Sequence, residues 1–600
     1  MKLRFLNGLL PLALFGLLLT SDSVIYADVQ ITNNADNYSK PSLEPDYKKA
    51  DISNSDNIAV QFLGINDLHG GLETTGSVDI GTKTYEDAGT VGRLASYLNQ
   101  AESQFKKVTQ SDNSLRIEAG DMVGAAPANS SLLAHESTMH VLKAMKFKIG
   151  TLGNHEFDQG LPEFNRILTG GAPSSQSDSL IKKYTHDASG IEMVVANVIN
   201  KKDHKIPYGY KPYVIKTIKQ NKKTAKIGII GLETSTLPSL TLYKNYKDYQ
   251  VLDEADTIAK YDKILRGKGV NAVIVVGHTG VQSKDKTTSG PTVDILQKLN
   301  KINPNNNVGL YIAAHSHQYA NAQVGHTHVV QAVYTGKAYD NSWAYINAKT
   351  GKFTKVSTHV YPVLSQKDDR ETKADKKVTA IVKDADKRVK SKVNNVIGYA
   401  GKAETITGRL HNNESKENQA GEMVADAQLY EAQKADLKPD FAFTNTGGVR
   451  SDLVVKTNKA ITWGSATAVQ PFGNILQVVE MTGAQIRQAL NEQYDEEQHY
   501  YLQIAGLTYS YTKNDNNNQA YIVKDIWDSK GNVVSDDQVY RVVINDFLHG
   551  AGDNFHAFKD TKIVGAVGTD TETFIKYIKA MTKTEHKVVP PVLNRKKFVE

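Results

Sequence analysis

Residues 62–69 read FLGINDLH, an apolar run that stops at a carboxylate and an imidazole, Asp67 and His69. Four further runs stop in the same way: RIEAGD (116–121) at Asp121, GTLGNHEFD (150–158) at Asn154, His155 and Asp158, VIVVGH (273–278) at His278, and YIAAHSH (311–317) at His315 and His317. Each run is short, rich in Val, Ile and Leu, and closes on glycine or a polar residue, as a buried parallel strand does. In open α/β sheets ligands gather outside the carboxyl ends of such strands, so side chains far apart in sequence can share one rim. Asp67, His69, Asp121, Asn154, His278, His315 and His317 bring seven oxygen and nitrogen donors to that rim, the makings of a metal site in an enzyme. A sixth run, KIGIIGL (226–232), carries no such residue and reads as plain sheet core.

A chain of 600 residues with 40% hydrophobic content is too long for one core, so two domains with appendages are expected. There is no cysteine, which excludes disulfides, thiolate metal sites and cysteine nucleophiles together. The net charge is only +6, and Lys and Arg (71) interleave with Asp and Glu (65), so no nucleic acid polymer is expected as a partner. Residues 1–27 read as a secretory signal peptide: Lys2 and Arg4, an apolar stretch from Leu9 to Leu19, and a small residue at Ala27. That stretch is short for a stable membrane anchor. With no lipid-attachment cysteine and no sorting motif in VVPPVLNRKKFVE (588–600), the expected location is extracellular, as a secreted protein.

Residues 28–56 are polar, contain Pro41 and Pro45, and predict a flexible lead-in. From 57 to 363 short strands alternate with polar or helical stretches, the pattern of a layered α/β domain. Residues 364–396 form a linker in which Val378, Ile381, Val382, Ala385, Val389 and Val393 recur at helical spacing, predicting a charged helix with one narrow packing stripe. A second domain follows over 397–600, with a helix from Gly421 to about Ala435, a strand around Phe441 to Thr444, and glycine-rich turns carrying aromatic residues.

The order Asp-x-His, Gly-Asp, Gly-Asn-His-Glu, Gly-His, His-x-His resembles the calcineurin-like metallophosphoesterases over roughly residues 58 to 330. The resemblance implies a β-sandwich with flanking helices, and two divalent metal ions. It assigns Asp67, His69, Asp121 and His317 to one and Asp121, Asn154, His278 and His315 to the other, with Asp121 bridging. Mixed oxygen and imidazole ligands suit Zn, Mn, Fe or Co better than Ca or Mg. His155 and Asp158 take the catalytic places: the histidine contacts the reacting phosphate and the aspartate orients it. A carboxylate-held histidine is a good donor to charge developing on a phosphoryl oxygen. Glu156 is expected to satisfy helix-terminus amides.

Past the linker, KENQAGEMVADA (416–427), FTNTGGVRSDL (443–453), QPFGNILQVVEMTG (470–483) and NDFLHGAGDNF (545–555) are similar, in that order, to the C-terminal domain of the 5′-nucleotidase family. This second, α+β domain would bind the substrate. By resemblance Arg450 reads the phosphate, Phe472 and Phe547 sandwich the base, Asp553 bonds the ribose, Asn445 and Asn474 lie near phosphate and base, and Gly506 lets backbone lie along the nucleoside. Lys416 stands where the family usually has arginine; it keeps the charge but loses the bidentate fork, and Arg409 is near enough in sequence to substitute. Metals and base pocket on different domains imply that turnover needs the domains to close. The implied reaction is metal-dependent hydrolysis of nucleoside 5′-monophosphates, with ADP and ATP as further substrates. Hydrolysis of 2′,3′-cyclic nucleotides and 3′-nucleotides, UDP-sugar hydrolysis, and a non-catalytic extracellular binder are the alternatives. A degenerate binder should have lost ligands, and every one is present here.

Overall fold

The structure, a computed structural model, describes residues 30–34, 56–284, 287–496, 498–515 and 518–600. The signal-peptide reading of residues 1–27 and most of the lead-in lie outside the described residues. Among the described residues no helix is long and apolar enough to cross a membrane.

Two sheets make the first half of the molecule. One runs in the order Phe353–Pro362, Ala338–Asn347, Asn57–Ile65, Ser114–Glu118, Ile149–Gly150, Glu192–Met193. The other runs Ile31–Asn33, Tyr319–Val324, Thr327–Ala332, Val308–Ile312, Val273–Gly277, Lys223–Leu232, Tyr213–Gln220. The central strands of each are parallel. Val273–Gly277 and Val308–Ile312 are buried at every position, which explains why they show no alternation. Ile274, Val276, Leu310 and Ile312 face the inter-sheet core with Phe62 and Ile117. Val273, Val275 and Tyr311 face Ile258, Leu265, Leu296 and Leu299 of the helices Glu254–Gly267 and Pro291–Ile302. Truncating a core side chain of this kind typically costs about 2–5 kcal/mol.

Ile31–Asn33 departs from the flexible lead-in its polarity predicts: it pairs antiparallel with Tyr319–Val324, Ile31 opposite Val324. Edge pairing satisfies backbone groups and needs no apolar period. The linker helix forms over Lys376–Val393, capped by the Asp375 side chain on the Val378 amide. Its stripe of Val378, Val382, Ala385 and Val389 is buried, the last two against Leu133 and Tyr184 of the first half. At its other end Lys392 lies 5.3 Å from the Trp463 ring. The helix thus touches both halves.

The second half holds a five-stranded sheet in the order Leu502–Ala505, Phe441–Asn445, Val539–Asn545, Ile475–Thr482, Lys562–Thr569, with the helix Gln419–Lys434 against it. A three-stranded sheet joins Tyr521–Asp528, Leu507–Lys513 and Lys596–Phe598. Lys596–Phe598 pairs parallel with Leu507–Lys513, Tyr509 opposite Lys596. Arg595 beside it reaches Glu422 (2.6 Å) and Asp426 (2.8 Å). The fold is therefore the mixed α/β, two-part architecture expected.

Candidate metal centre and substrate cleft

Asp67, Asp121 and His278 follow the parallel strands Asn57–Ile65, Ser114–Glu118 and Val273–Gly277, Asn154 follows Ile149–Gly150, and His315 and His317 follow Val308–Ile312. The donors converge: Asp67, His69 and His317 form one group able to hold an ion, and Asp121, His278 and His315 another. A third group, His69, Asp121 and His155, joins them. Asp121 Oδ2 lies 3.1 Å from His278 Nε2 and 3.6 Å from His69 Nε2, between the two clusters. Asp67, His69, Asp121, His315 and His317 all adopt positive φ, between 48° and 75°. Left-handed backbone at a residue other than glycine costs on the order of 1 kcal/mol, and such strain gathers where function needs it.

The residues fit bound cations. Nδ1 of His69 lies 3.1 Å from the Gly124 carbonyl and Nδ1 of His278 3.0 Å from the Ala119 carbonyl. Each Nδ1 therefore donates to its carbonyl and leaves Nε2 as the atom turned toward the cluster, the second-layer arrangement of metal-binding histidine. The Nε2 atoms of His69 and His317 approach to 3.0 Å. Asn154 Oδ1 is buried with no hydrogen-bond partner among the described residues, an acceptor left for a cation. Burial pushes the His315 imidazole down to about 4, keeping it neutral as a ligand must be. Asp121 stays ionised despite its burial because His278 and His155 surround it.

Glu156 does more than cap a helix start. Its carboxylate accepts from the amides of Gly153 (2.6 Å), Asp121 (2.9 Å) and Met122 (2.9 Å), stapling two ligand loops together. Burial, with Asp121 nearby, pushes it up to about 8. Glu118 accepts from the Gly120 amide (2.8 Å) in the same layer. The run 226–232 is sheet core, as expected, but the next residue, Glu233, is a fully buried carboxyl whose oxygens have no side-chain partner among the described residues. Burial holds it well above the usual carboxylate range even with His278 close by.

His155 is boxed on several sides. Its Nδ1 lies 2.7 Å from Asp158 Oδ2, and its amide donates to Asp121 Oδ1 (2.9 Å). His69 meets it edge-on at 4.8 Å. Burial lowers the imidazole, but Asp158 and Asp121 outweigh it and hold His155 above its ordinary value.

The second half supplies the opposite wall. Phe472 stacks on His155 with centroids 5.7 Å apart and planes 16° from parallel, and the Arg450 guanidinium lies 5.7 Å from the Phe472 ring. Arg450 and Arg409 both lie near enough to act on His317 electrostatically. Among the described residues neither guanidinium has an acidic partner in an ion pair, and burial together with Arg450 holds Arg409 down to about 10. Asp553 takes a bond from Asn445 Nδ2 (2.6 Å), and burial pushes its carboxyl up to about 6. Phe547 packs its ring where Gly552 lacks a Cβ, beside Asp553; no ring contact joins it to Phe472 among the described residues. Asn474 meets Asp570 through its backbone carbonyl (2.8 Å). Lys416 is exposed, with its ammonium 5.7 Å from the Tyr501 ring. Gly506, at φ +84°, turns against the Asp440 carbonyl, so its need for glycine is met inside the fold.

Tyr334 and Tyr500 escape sequence reasoning. Tyr334 stacks on His317 at 4.7 Å and carries the Lys337 ammonium 3.9 Å from its ring centre. Burial, then Asp553, raises the Tyr500 phenol, with Arg409, Arg450 and Asp121 also acting on it. For Tyr334 the available signal is its place just past a strand, Thr327–Ala332, that ends at the same rim.

Residues 60–319 match the family model described as calcineurin-like phosphoesterase, and residues 396–560 that described as 5′-nucleotidase, C-terminal domain. The chain is 42% identical over 546 residues to the cell wall protein Lmo0130 of Listeria monocytogenes, covering 88% of this chain and 67% of that protein. It is 28% identical over 505 residues to the endonuclease YhcR of Bacillus subtilis, covering 84% of this chain but 38% of that protein. A 5′-nucleotidase precursor from Thermus thermophilus shares the fold, with TM-score 0.67 at 20% identity over 90% of this chain and 100% of that one.

Proposed function

The chain belongs to the 5′-nucleotidase family, with a calcineurin-like phosphoesterase domain and a 5′-nucleotidase C-terminal domain in one polypeptide, and from that premise we propose that it hydrolyses nucleoside 5′-monophosphates to nucleoside and phosphate. The observation that carries this reading is the meeting of two half-sites: Phe472 of one half stacks on His155 of the other, with the Arg450 guanidinium 5.7 Å from the Phe472 ring. Arg450 and Arg409, half-buried and in no ion pair among the described residues, suit a phosphate held against the cluster of cation ligands. We take residues 57–363 as the metal domain, 364–396 as the hinge helix and 397–600 as the nucleotide domain. Two divalent ions of Zn, Mn, Fe or Co type would be held by Asp67, His69, Asp121 and His317, and by Asp121, Asn154, His278 and His315.

Bound there, the ions would polarise the phosphoryl oxygens and lower the pKa of a water aligned for attack. Arg450 and Arg409 bind the phosphate and counter its charge. His155, held by Asp158 through Nδ1, donates from Nε2 to a phosphoryl oxygen as negative charge develops on it. The water oxygen forms a new bond to phosphorus as the P–O5′ bond breaks, and of the two protons the water brings, one stays with the phosphate or solvent and the other ends on the leaving nucleoside oxygen. Phe472 and Phe547 grip the base, and Asp553, steadied by Asn445, accepts from ribose hydroxyls. Action outside the cell, free or at the surface, is part of the same reading and is supported by the cell wall relative.

Phosphate release from AMP, ADP, ATP, 3′-AMP and 2′,3′-cyclic AMP, with added Mn or Zn, tests the proposal. Turnover of the cyclic substrate alone would overturn the substrate assignment. Cleavage of nucleic acid is a second reading, favoured by the endonuclease relative; single-stranded DNA and RNA in the same assay decide it.

A further inference from the structure

Phe472 does not only wait for a base. Its ring lies on His155 at 5.7 Å with 16° between planes, crossing from one half of the molecule to the other. His155 is otherwise held at Nδ1 by Asp158 (2.7 Å), at one edge by His69 (4.8 Å), and along its Cβ by the backbone of Gly124, where no Cβ fits. Phe472 covers a face of the ring that none of these contacts holds. The Arg450 guanidinium lies 5.7 Å from the Phe472 ring.

We propose that Phe472 is a positioning residue for His155: closure of the two halves sets the imidazole at the angle from which it donates to the phosphoryl group. This rests on the phosphoester-hydrolase reading above but not on the nucleotide. A pure base clamp acts only on substrates that have a base, whereas a residue acting through His155 is felt by every phosphoester. Angular error at a reacting group of this kind costs on the order of 10–100-fold in rate. Phe472 sits half-buried in a surface loop, so its removal leaves both cores intact.

The test uses p-nitrophenyl phosphate, which has no nucleobase, and the full chain loaded with Mn. Phe472→Ala should lower kcat on this ester about tenfold or more, with metal content per chain unchanged, and Phe472→Tyr should restore it. In a His155→Asn background Phe472→Ala should cost nothing further, because the two act as one unit. A second readout is independent of turnover: diethyl pyrocarbonate should modify His155, mapped by mass spectrometry, faster in Phe472→Ala than in the native chain. Native kcat on the base-free ester, an equal additional loss in the His155→Asn background, or an unchanged modification rate would each overturn the proposal. A native enzyme that cleaves p-nitrophenyl phosphate but no nucleotide would sink only the substrate reading.

Discussion

The metal rim and the proposed nucleotide pocket meet where Phe472 stacks on His155, and they hold their polar groups in different ways. On the rim, donors are anchored from behind: carbonyls of Gly124 and Ala119 fix His69 and His278, and Glu156 fixes the loops that carry Asp121 and Asn154. In the pocket, Asp553 has its Asn445 bond and acts on Arg409 and Arg450 through space, but neither guanidinium closes an ion pair among the described residues. One wall is preorganised by the fold; the other is left incomplete until an anion arrives. Affinity for metal should therefore survive damage to the pocket, whereas affinity for substrate should not survive damage to either wall.

The largest expected effect is on the rim. Asp121→Asn removes the carboxylate that lies between both clusters, so metal content should fall at both sites and turnover should nearly vanish. Full metal occupancy in that variant, measured by plasma mass spectrometry, would break the picture of a shared carboxylate. Next, Arg450→Ala should cost about 1.5–3 kcal/mol, on the order of 10–100-fold in kcat/KM for AMP, with metal content intact. Loss of metal along with activity would erase the division between the walls. Phe547→Ala should be milder, raising KM for nucleotides by about 1–3 kcal/mol of lost stacking while kcat stays near the native value. An inactive variant with normal nucleotide binding would contradict the stacking role.

The smallest effect concerns stability, and each half offers one site for it. Asp340 in the sandwich and Asp570 in the second half are buried carboxyls pushed up to about 7, chiefly by desolvation. A raised folded value means stability that is full below the unfolded carboxylate value and is lost as pH rises toward about 7. Asp340→Asn and Asp570→Asn should remove that slope, so the difference in Tm between variant and native chain should grow in the variant's favour between pH 5 and 7. A pH-independent difference would show that these carboxyls ionise normally.

The strand-end rule makes the rim legible because its donors are written next to apolar runs that cannot be anything but buried strands. Glu156 is visible as a capping residue, but its bonds to Asp121 and Met122 join loops 30 or more positions apart and leave no local mark. Glu233 ends the run 226–232 as the rim donors end theirs, a signal passed over when that run reads as plain sheet core. Tyr334 and Tyr500 belong to no motif, since tyrosine is as common in cores as in sites. Gly506 belongs to the substrate by resemblance, yet its left-handed turn against Asp440 is reason enough for glycine. The Phe472 stack on His155 depends on how the two halves meet, which no spacing encodes.

The strand Lys596–Phe598 has a consequence for how the protein is made. It is the third strand of the sheet around Leu507–Lys513, and Arg595 beside it clasps Glu422 and Asp426 on the helix after Lys416. The core of the metal-binding half is complete once Val382 of the linker helix is in place, whereas the sheet of the other half stays one strand short until residue 598 has been added. Residues 595–598 therefore decide whether the nucleotide half closes at all, long after the rim can form.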